Sequence, residues 1–470
     1  MRRCAPMVFA FALSGCVLGP DYQRPQTPLP AVYSDAPTTN AAAIPATAIG
    51  ADWWRLYDDP ILNDLVATAL SENLDVVAAV AKIEEFDADL REANAALFPE
   101  IDLGGTAERS RSSGKVVSPL SIPLSNDLRV ALSTSFEIDF WGRLRRLVES
   151  ARAQVLATHY AKDVVTLSLA GLTTQTYFSL RSLDAQITAT TETLTTREEY
   201  LGVVRRRVEG GLASGLDLAQ ALGARADAAA QLKELVRQRA LAEHFLGPLT
   251  GRLDLKLPPG DLAQLPVPPV PPTGLPSSLL ERRPDIRQAE ENLVAANAQI
   301  GVAKAALLPR ISLTGDFGGE STALSSLVQS GARIWSIGFA LAQPIFTAGR
   351  LSAEVDATTA RQKQALASYQ KSIQTAFREV SDALVNVSQT AATEIDLQSS
   401  VDAARDALRL STERYETGYS AYLNVLDAQR TLNISELALI RNRQALLSAS
   451  VDLMIALGGG WADESPFALR

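Results

Sequence analysis

Between Asp127 and Phe140 the chain alternates in character. Leu128, Val130, Leu132, Thr134, Phe136, Ile138 and Phe140 fall on one side, and Arg129, Ala131, Ser133, Ser135, Glu137 and Asp139 on the other. A period of two held over residues 128–140 predicts a strand with one apolar face. Ile311, Leu313 and Phe317 repeat the pattern, as do Trp335, Ile337, Phe339 and Leu341, and Ile101, Leu103 and Ala107 give a weaker case. The segments between the members of each pair, 109–126 and 318–332, are rich in Ser, Gly and Pro and predict hairpin loops. Strands of about ten residues are long enough to cross a bilayer when tilted. One apolar and one polar face suits lipid outside and water inside, although a soluble sandwich with one wet face has the same alternation. In lipid an open sheet edge is not tolerated, and the smallest bacterial barrels have about eight strands. Four strands therefore predict several chains pooling theirs, without fixing how many.

The rest of the chain is helical in period. From Arg143 the next strong breaker is Gly210, and a 3-4 spacing runs through Val148, Ala151, Val155, Thr158, Lys162, Val165, Leu169, Leu172, Thr176, Leu180, Leu183, Ile187, Thr190, Leu194, Arg197, Leu201, Val204 and Val208. This is a coiled-coil seam with one stutter near Thr176. Some 65 residues at 1.5 Å each predict a helix of roughly 100 Å. A second such helix runs from Leu351 to about Tyr415, its seam ending Val401, Ala404, Leu408, Ser411, Tyr415. Return helices are predicted over Leu216 to Leu246 and Leu423 to Leu457. Opening helices are predicted over Ile61 to Leu97 and Ser277 to Leu307, stopped by Pro99 and Pro309.

These elements occur twice in the same order. AALFPEIDLGG (95–105) matches AALLPRISLTG (305–315), and Gly142-Arg143-Leu144 answers Gly349-Arg350-Leu351. A unit of roughly two hundred residues far exceeds the period of about 20–50 typical of solenoids, so this is a duplicated half-protein. The expected division is a leader at 1–15, an N-terminal segment at 16–60 and repeats at 61–256 and 277–460. A Pro-rich linker joins the repeats at 257–276, and a tail occupies 461–470. RVEGGLASGLDLAQA (207–221) and RYETGYSAYLNVLDA (414–428) are the expected hairpin tips where each long helix turns into its return helix, at the end opposite the strands. Asp217 or Ser214 is the candidate cap of one return helix, and Asn424 or Ser420 of the other.

Composition narrows the class. The 470 residues carry a formal charge of −9, and the bases are scattered, unlike a nucleic-acid footprint. The two Cys, Cys4 and Cys16, lie at the N-terminus, and His159 and His244 stand far apart, which excludes a His-cluster metal site. No phosphate loop, nucleophile elbow or His-containing acid–base group is present, so catalytic, cofactor and metal residues are each expected to be none. Carboxylate pairs such as Glu84-Glu85 and Glu198-Glu199 are expected to be solvated helix faces. Arg2 and Arg3 precede an apolar run from Ala5 to Leu13, then Leu13-Ser14-Gly15-Cys16, in the order of a secretory leader. The site resembles the lipobox of bacterial lipoproteins, which implies lipidation of Cys16 as the mature N-terminus. Val17, where inner-membrane retention usually has Asp, points to the outer membrane. Removing residues 1–15 takes two arginines and no acid, moving the charge from −9 to −11.

Cys16 followed by Gly19-Pro20-Asp21-Tyr22-Gln23-Arg24-Pro25, the duplicated halves, ERRPDIRQAEENLVAANAQIGVAKAALLPRISLTG at 281–315 and the two tips together resemble the TolC family. More narrowly they resemble its lipoprotein branch, the OprM and NodT type, over essentially the whole mature chain. The resemblance implies an α+β membrane protein: a homotrimer pooling four strands per chain into a twelve-stranded barrel, continued by a coiled-coil helical tunnel. It implies an exit duct for a tripartite efflux pump, with a periplasmic adaptor and an inner-membrane transporter, commonly proton-driven, as partners. Type I protein secretion is the alternative traffic. Gly211, Leu212, Ala213, Ser214 and Gly215, with Gly418, Tyr419, Ser420 and Ala421, fall on the positions that meet adaptor tips. Tyr415, Glu416 and Tyr419 are the candidates for narrowing the periplasmic mouth, while Ser420 stands where relatives can carry Asp.

Overall fold

The computed structural model describes residues 17–26, 28, 30, 50, 52–111, 113, 115, 124–268 and 282–459. The leader, Cys16, positions 269–276 of the Pro-rich linker, the first residues of the helix expected from Ser277, and the tail lie outside the described residues. The chain divides into two compact units, each drawing segments from both halves.

The first unit holds, of the described residues, 17–26, 82–159 and 288–370. Its centre is one antiparallel sheet of β1 (Glu100–Arg111), β2 (Leu124–Glu137), β3 (Arg310–Ser321) and β4 (Arg333–Ala342), in the order β1-β2-β3-β4. Each half contributes one hairpin, and β2 pairs with β3 to join them. The strands run further into the expected loops than the alternation reached: Arg109 to Arg111 pair with Asn126 to Leu124. At the other end, β2 stops at Glu137 and Ile138 makes one last backbone bond to Ile311.

Register aligns the two faces. Leu103 faces Leu132, Leu132 faces Phe317, Phe317 faces Trp335, and Leu313 lies between Phe136 and Phe339. This outward row is largely exposed to solvent in the single chain, with Trp335 at 74% and Ile337 at 78%. Leaving such large apolar groups in water forfeits roughly 1.5–3 kcal/mol each, so the face is built to be covered. β1 and β4 are open edges within the chain.

The second unit holds 28, 30, 50, 52–81, 160–268, 282–287 and 371–459 of the described residues. α1 (Pro60–Glu72) begins with Asp59, whose carboxylate accepts from the Ile61 and Leu62 amides. Leu62, Leu65 and Val66 then enter a core with Trp53, Tyr57, Tyr177, Phe178, Leu447 and Met454. Tyr57 lies edge-on to Phe178 at 4.9 Å, and its hydroxyl bonds Ser450 Oγ at 2.7 Å. The helix expected over 61–97 is two, α1 and α2 (Leu74–Ala95), because Asn73 turns extended at ψ 131°. Its amide donates to the Leu249 carbonyl at 3.1 Å, while its Oδ1 accepts from the Asp75 amide at 2.8 Å. One side chain thus ends one helix and caps the next.

α3 (Arg143–Glu209), α4 (Gly215–Thr250), α5 (Pro284–Ala305), α6 (Arg350–Glu416) and α7 (Tyr422–Ala456) complete the fold. The α3 seam is buried or partly buried except at Leu172, which is 42% exposed while Thr173, Thr174, Tyr177 and Phe178 are buried. The buried stripe therefore slips around the helix at the stutter. Asp184 on α3 lies buried between Arg181 at 3.0 Å and Arg239 at 2.6 Å and accepts from the Gly260 amide. Those guanidiniums donate to the Pro258 and Leu257 carbonyls, which ties the start of the Pro-rich segment to α3 and α4. No described helix is long and apolar enough to cross a membrane.

Candidate functional site

The α3–α4 and α6–α7 turns use the same backbone device. At the first, Gly211 takes φ 70°, its amide reaches Val208 O, and Leu212 N reaches Arg207 O at 2.7 Å. At the second, Gly418 takes φ 82°, its amide reaches Tyr415 O, and Tyr419 N reaches Arg414 O at 2.8 Å. This is the Schellman helix end, which needs a left-handed residue and therefore favours glycine. The apolar residue after that glycine ordinarily folds back on its helix. Here Leu212 is 80% and Tyr419 82% exposed, so both tips present an apolar side chain outward.

The return helices start differently. Ser214 caps α4 through a reciprocal box: its Oγ accepts from the Asp217 amide at 3.2 Å and its own amide donates to Asp217 Oδ2 at 2.9 Å. α7 begins after Ala421 with no side-chain cap, so neither Asn424 nor Ser420 has the expected role. Ser420 Oγ is buried without a hydrogen-bond partner. Ala213 stays within the turn and Gly215 opens α4, while Ala421 and Glu416 are exposed.

Beneath the tips, Leu201 and Val204 of α3, Ala221 of α4, Tyr415 of α6 and Tyr422 and Val425 of α7 form one small core. Tyr415, a candidate for narrowing the mouth, is buried there, its ring 5.5 Å from Tyr422. Of the three mouth candidates, Glu416 and Tyr419 carry the exposed side chains. Arg207 joins the two hairpins, with its guanidinium 4.5 Å over the Tyr415 ring and donating to the Tyr415 and Glu416 carbonyls at 3.4 and 3.3 Å. A cation on the last carbonyls of α6 is favoured by the helix dipole and by the ring. Sequence reading passed over Arg207, although it begins the quoted tip stretch.

In the first unit, residues 17–26 form a strap along α5. Tyr22 donates to Glu290 at 3.0 Å, Arg24 grips the same carboxylate through two bonds at 2.7 and 2.8 Å, and Asn297 donates to Pro20 O. Gly19 passes so close to Gly301 that a Cβ would lie 2.6 Å from its Cα. Leu18 N bonds Trp141 O at 3.1 Å, and Phe140 and Trp141 stack edge-on at the strand–helix junction. Leu18, two residues after Cys16, is thereby pinned beside that aromatic pair. Burial, with neighbouring Glu290 second, raises the pKa of Glu291 to about 6.

Alternation sorts the charges of the sheet by face. Inward lie Glu100, Asp102 and Glu108 of β1, Asp127 and Glu137 of β2, and Asp316 and Glu320 of β3. Their inward basic companions on the strands are Arg129, paired with Asp316 at 3.1 Å, and Arg310. No strand residue on the outward face is acidic. Among the described residues no group of His, Cys, Asp and Glu is arranged to hold a metal.

A two-sided sheet with open edges, two long helical hairpins and an N-terminal strap beside the strand ends define an outer-membrane channel protomer. The chain belongs to the outer membrane efflux protein family, whose model matches residues 65–252 and 275–459. It is 36% identical over 470 residues to the probable efflux pump outer membrane protein TtgC of Pseudomonas putida, covering 97% of this chain and 95% of that protein. It is 35% identical to outer membrane protein OprJ of Pseudomonas aeruginosa, with the same coverage. Among solved structures, the outer-membrane channel OprN superposes with a TM-score of 0.86 at 30% identity, covering 95% of this chain and 100% of that one. The CmeC outer membrane channel of Campylobacter jejuni does so at 0.86 and 26% identity, covering 96% of each. The duplicated TolC-type fold and its non-enzymatic efflux role are thus those of this chain.

Proposed function

We propose that the chain is one protomer of a homotrimeric exit duct for small molecules, docked at its α3–α4 and α6–α7 tips to a periplasmic adaptor fed by a proton-driven inner-membrane transporter. The observation that carries docking is the pair of matched tips with Leu212 and Tyr419 turned outward above a shared core. Gly211, Ala213, Ser214 and Gly215, with Gly418, Ser420 and Ala421, shape that surface. Glu416 and Tyr419 line the mouth in this reading, and Tyr415 acts from the packing beneath them. The open-edged sheet supports pooling of strands, since lipid tolerates no free edge. The strap beside Phe140 and Trp141 supports a lipid on Cys16, because Leu18, two residues further on, is bonded at the strand end. The two matched segments of the family model support repeats at 61–256 and 277–460.

Leu212→Glu combined with Tyr419→Asp tests the docking, because neither side chain is needed to build its turn. Ser214→Arg and Gly418→Trp also block the tips but disturb a helix cap and a left-handed residue. The expected result is loss of drug resistance in cells with normal trimer on native gels. Full resistance with the double variant correctly inserted contradicts tip docking.

A further inference from the structure

Along each edge strand the outward face changes character toward the hairpin loops. On β1 the outward positions read Ile101, Leu103, Gly105, Ala107, then Arg109 and Arg111. On β4 they read Leu341, Phe339, Ile337, Trp335, then Arg333. All three arginines are exposed, and none has a carboxylate partner among the described residues. At the opposite end of the apolar band no outward strand position is a cation among the described residues; Phe140 and Trp141 stand there, with Arg350 at the start of the following helix. Every carboxylate on the strands faces the other way, including Glu108 and Asp127, which lie next to Arg109 in sequence and register. The three bases on the lipid side are therefore not neutralised by neighbours and are not part of an ordinary mixed surface.

We propose that this loop-end rim binds the phosphate of net-negative lipid headgroups in the leaflet that surrounds the hairpin loops. An arginine facing acyl chains is strongly disfavoured, but at the headgroup level the penalty falls to near zero. There a guanidinium meets phosphate in a planar, two-bond geometry that a lysine does not supply. The occupant is a lipid, and not soluble phosphate, because each cation ends a column of apolar side chains. Trp335 and Ile337 lie directly below Arg333, and Ala107 and Leu103 below Arg109. One amphipathic molecule satisfies chain and headgroup together. The rim lies on both open edges, so closure of the barrel by further copies brings the β4 edge of one beside the β1 edge of the next.

This rests on the proposed membrane reading of the sheet, and the test separates the two. The full-length protein is reconstituted into vesicles of phosphatidylcholine with a minor fraction of phosphatidic acid and recovered by flotation. It is then re-extracted, and its co-purifying lipid is measured by mass spectrometry. The wild type is expected to retain phosphatidic acid at roughly fivefold or more above its share of the vesicle. Arg109→Gln/Arg111→Gln/Arg333→Gln should retain it at that share, and the single variants R109Q and R333Q should fall between. Equal retention by wild type and triple variant overturns the rim site, as does loss of enrichment when inorganic phosphate is added. Failure of the wild type to float with vesicles overturns the membrane reading itself.

Discussion

Arg207 is the side chain that makes two separate turns behave as one tip. It leaves α3, covers the Tyr415 ring and closes the last carbonyls of α6, so its loss costs a cation–π contact and two hydrogen bonds at once. Partly exposed interactions of these kinds contribute about 0.5–1 kcal/mol each. Arg207→Ala is therefore expected to speed hydrogen exchange of the amides at 416–422 about tenfold, leaving the core around Tyr177 and Phe178 unchanged. Unaltered exchange at 416–422 would show that the α6 end is held by its own Schellman bonds alone. The residue scale is also where sequence and structure part. The α6 seam already placed Tyr415 among buried positions, but the same residue drew attention as a mouth candidate because it is aromatic and beside a tip. Packing decided between the two, and it chose the seam. The sequence offered Asp217 or Ser214 as one cap, and the structure uses Ser214 with Asp217 as its reciprocal partner. The uncapped start at Ala421 was not readable, because Asn424 and Ser420 offer the same chemistry without the geometry.

At the scale of elements, periodicity carried most of the fold. Strands with one apolar face and helices with one buried stripe leave a strong trace, and the four strands and both long helices follow it. The break at Asn73 left none, since no Gly or Pro marks it; a carbonyl from distant α4 holds it. The Asp184 network escaped for the same reason, its partners coming from α3, α4 and the segment after Leu257. The N-terminal strap was legible as a motif, yet its mechanical role appears in Glu290 and its neighbour Glu291. Burial raises the Glu291 pKa to about 6 from an ordinary 4.5. The folded state thus holds a proton that the unfolded chain releases earlier. Its contribution to stability is full below about pH 4.5 and is lost as pH rises through 6. Glu291→Gln is expected to raise the melting temperature at pH 7.5 and to leave it near the wild-type value at pH 4.5. A melting temperature shifted equally at both pH values would assign the effect to packing and not to the proton.

For the whole molecule, the sorting of charge between the two sheet faces predicts an ion preference for the duct. Seven acids against two bases on the inward strand positions make a lumen that concentrates cations. In a planar bilayer under a potassium chloride gradient, the reversal potential is expected to have the sign of cation preference. Asp102→Asn with Glu108→Gln and Asp127→Asn should move it toward zero; anion preference in the wild type would mean that the polar face is not the lumen. The family relation settles the efflux role, and the proposed docking at the tips concerns which partners the duct serves. The most direct test is a photocrosslinking side chain at Leu212 in living cells, with the captured protein identified by mass spectrometry. Capture of a periplasmic adaptor whose partner is a proton-driven exporter is the predicted result. Capture of an adaptor serving an ATP-driven protein exporter, or no capture from a probe shown to be exposed in the assembled trimer, would contradict it.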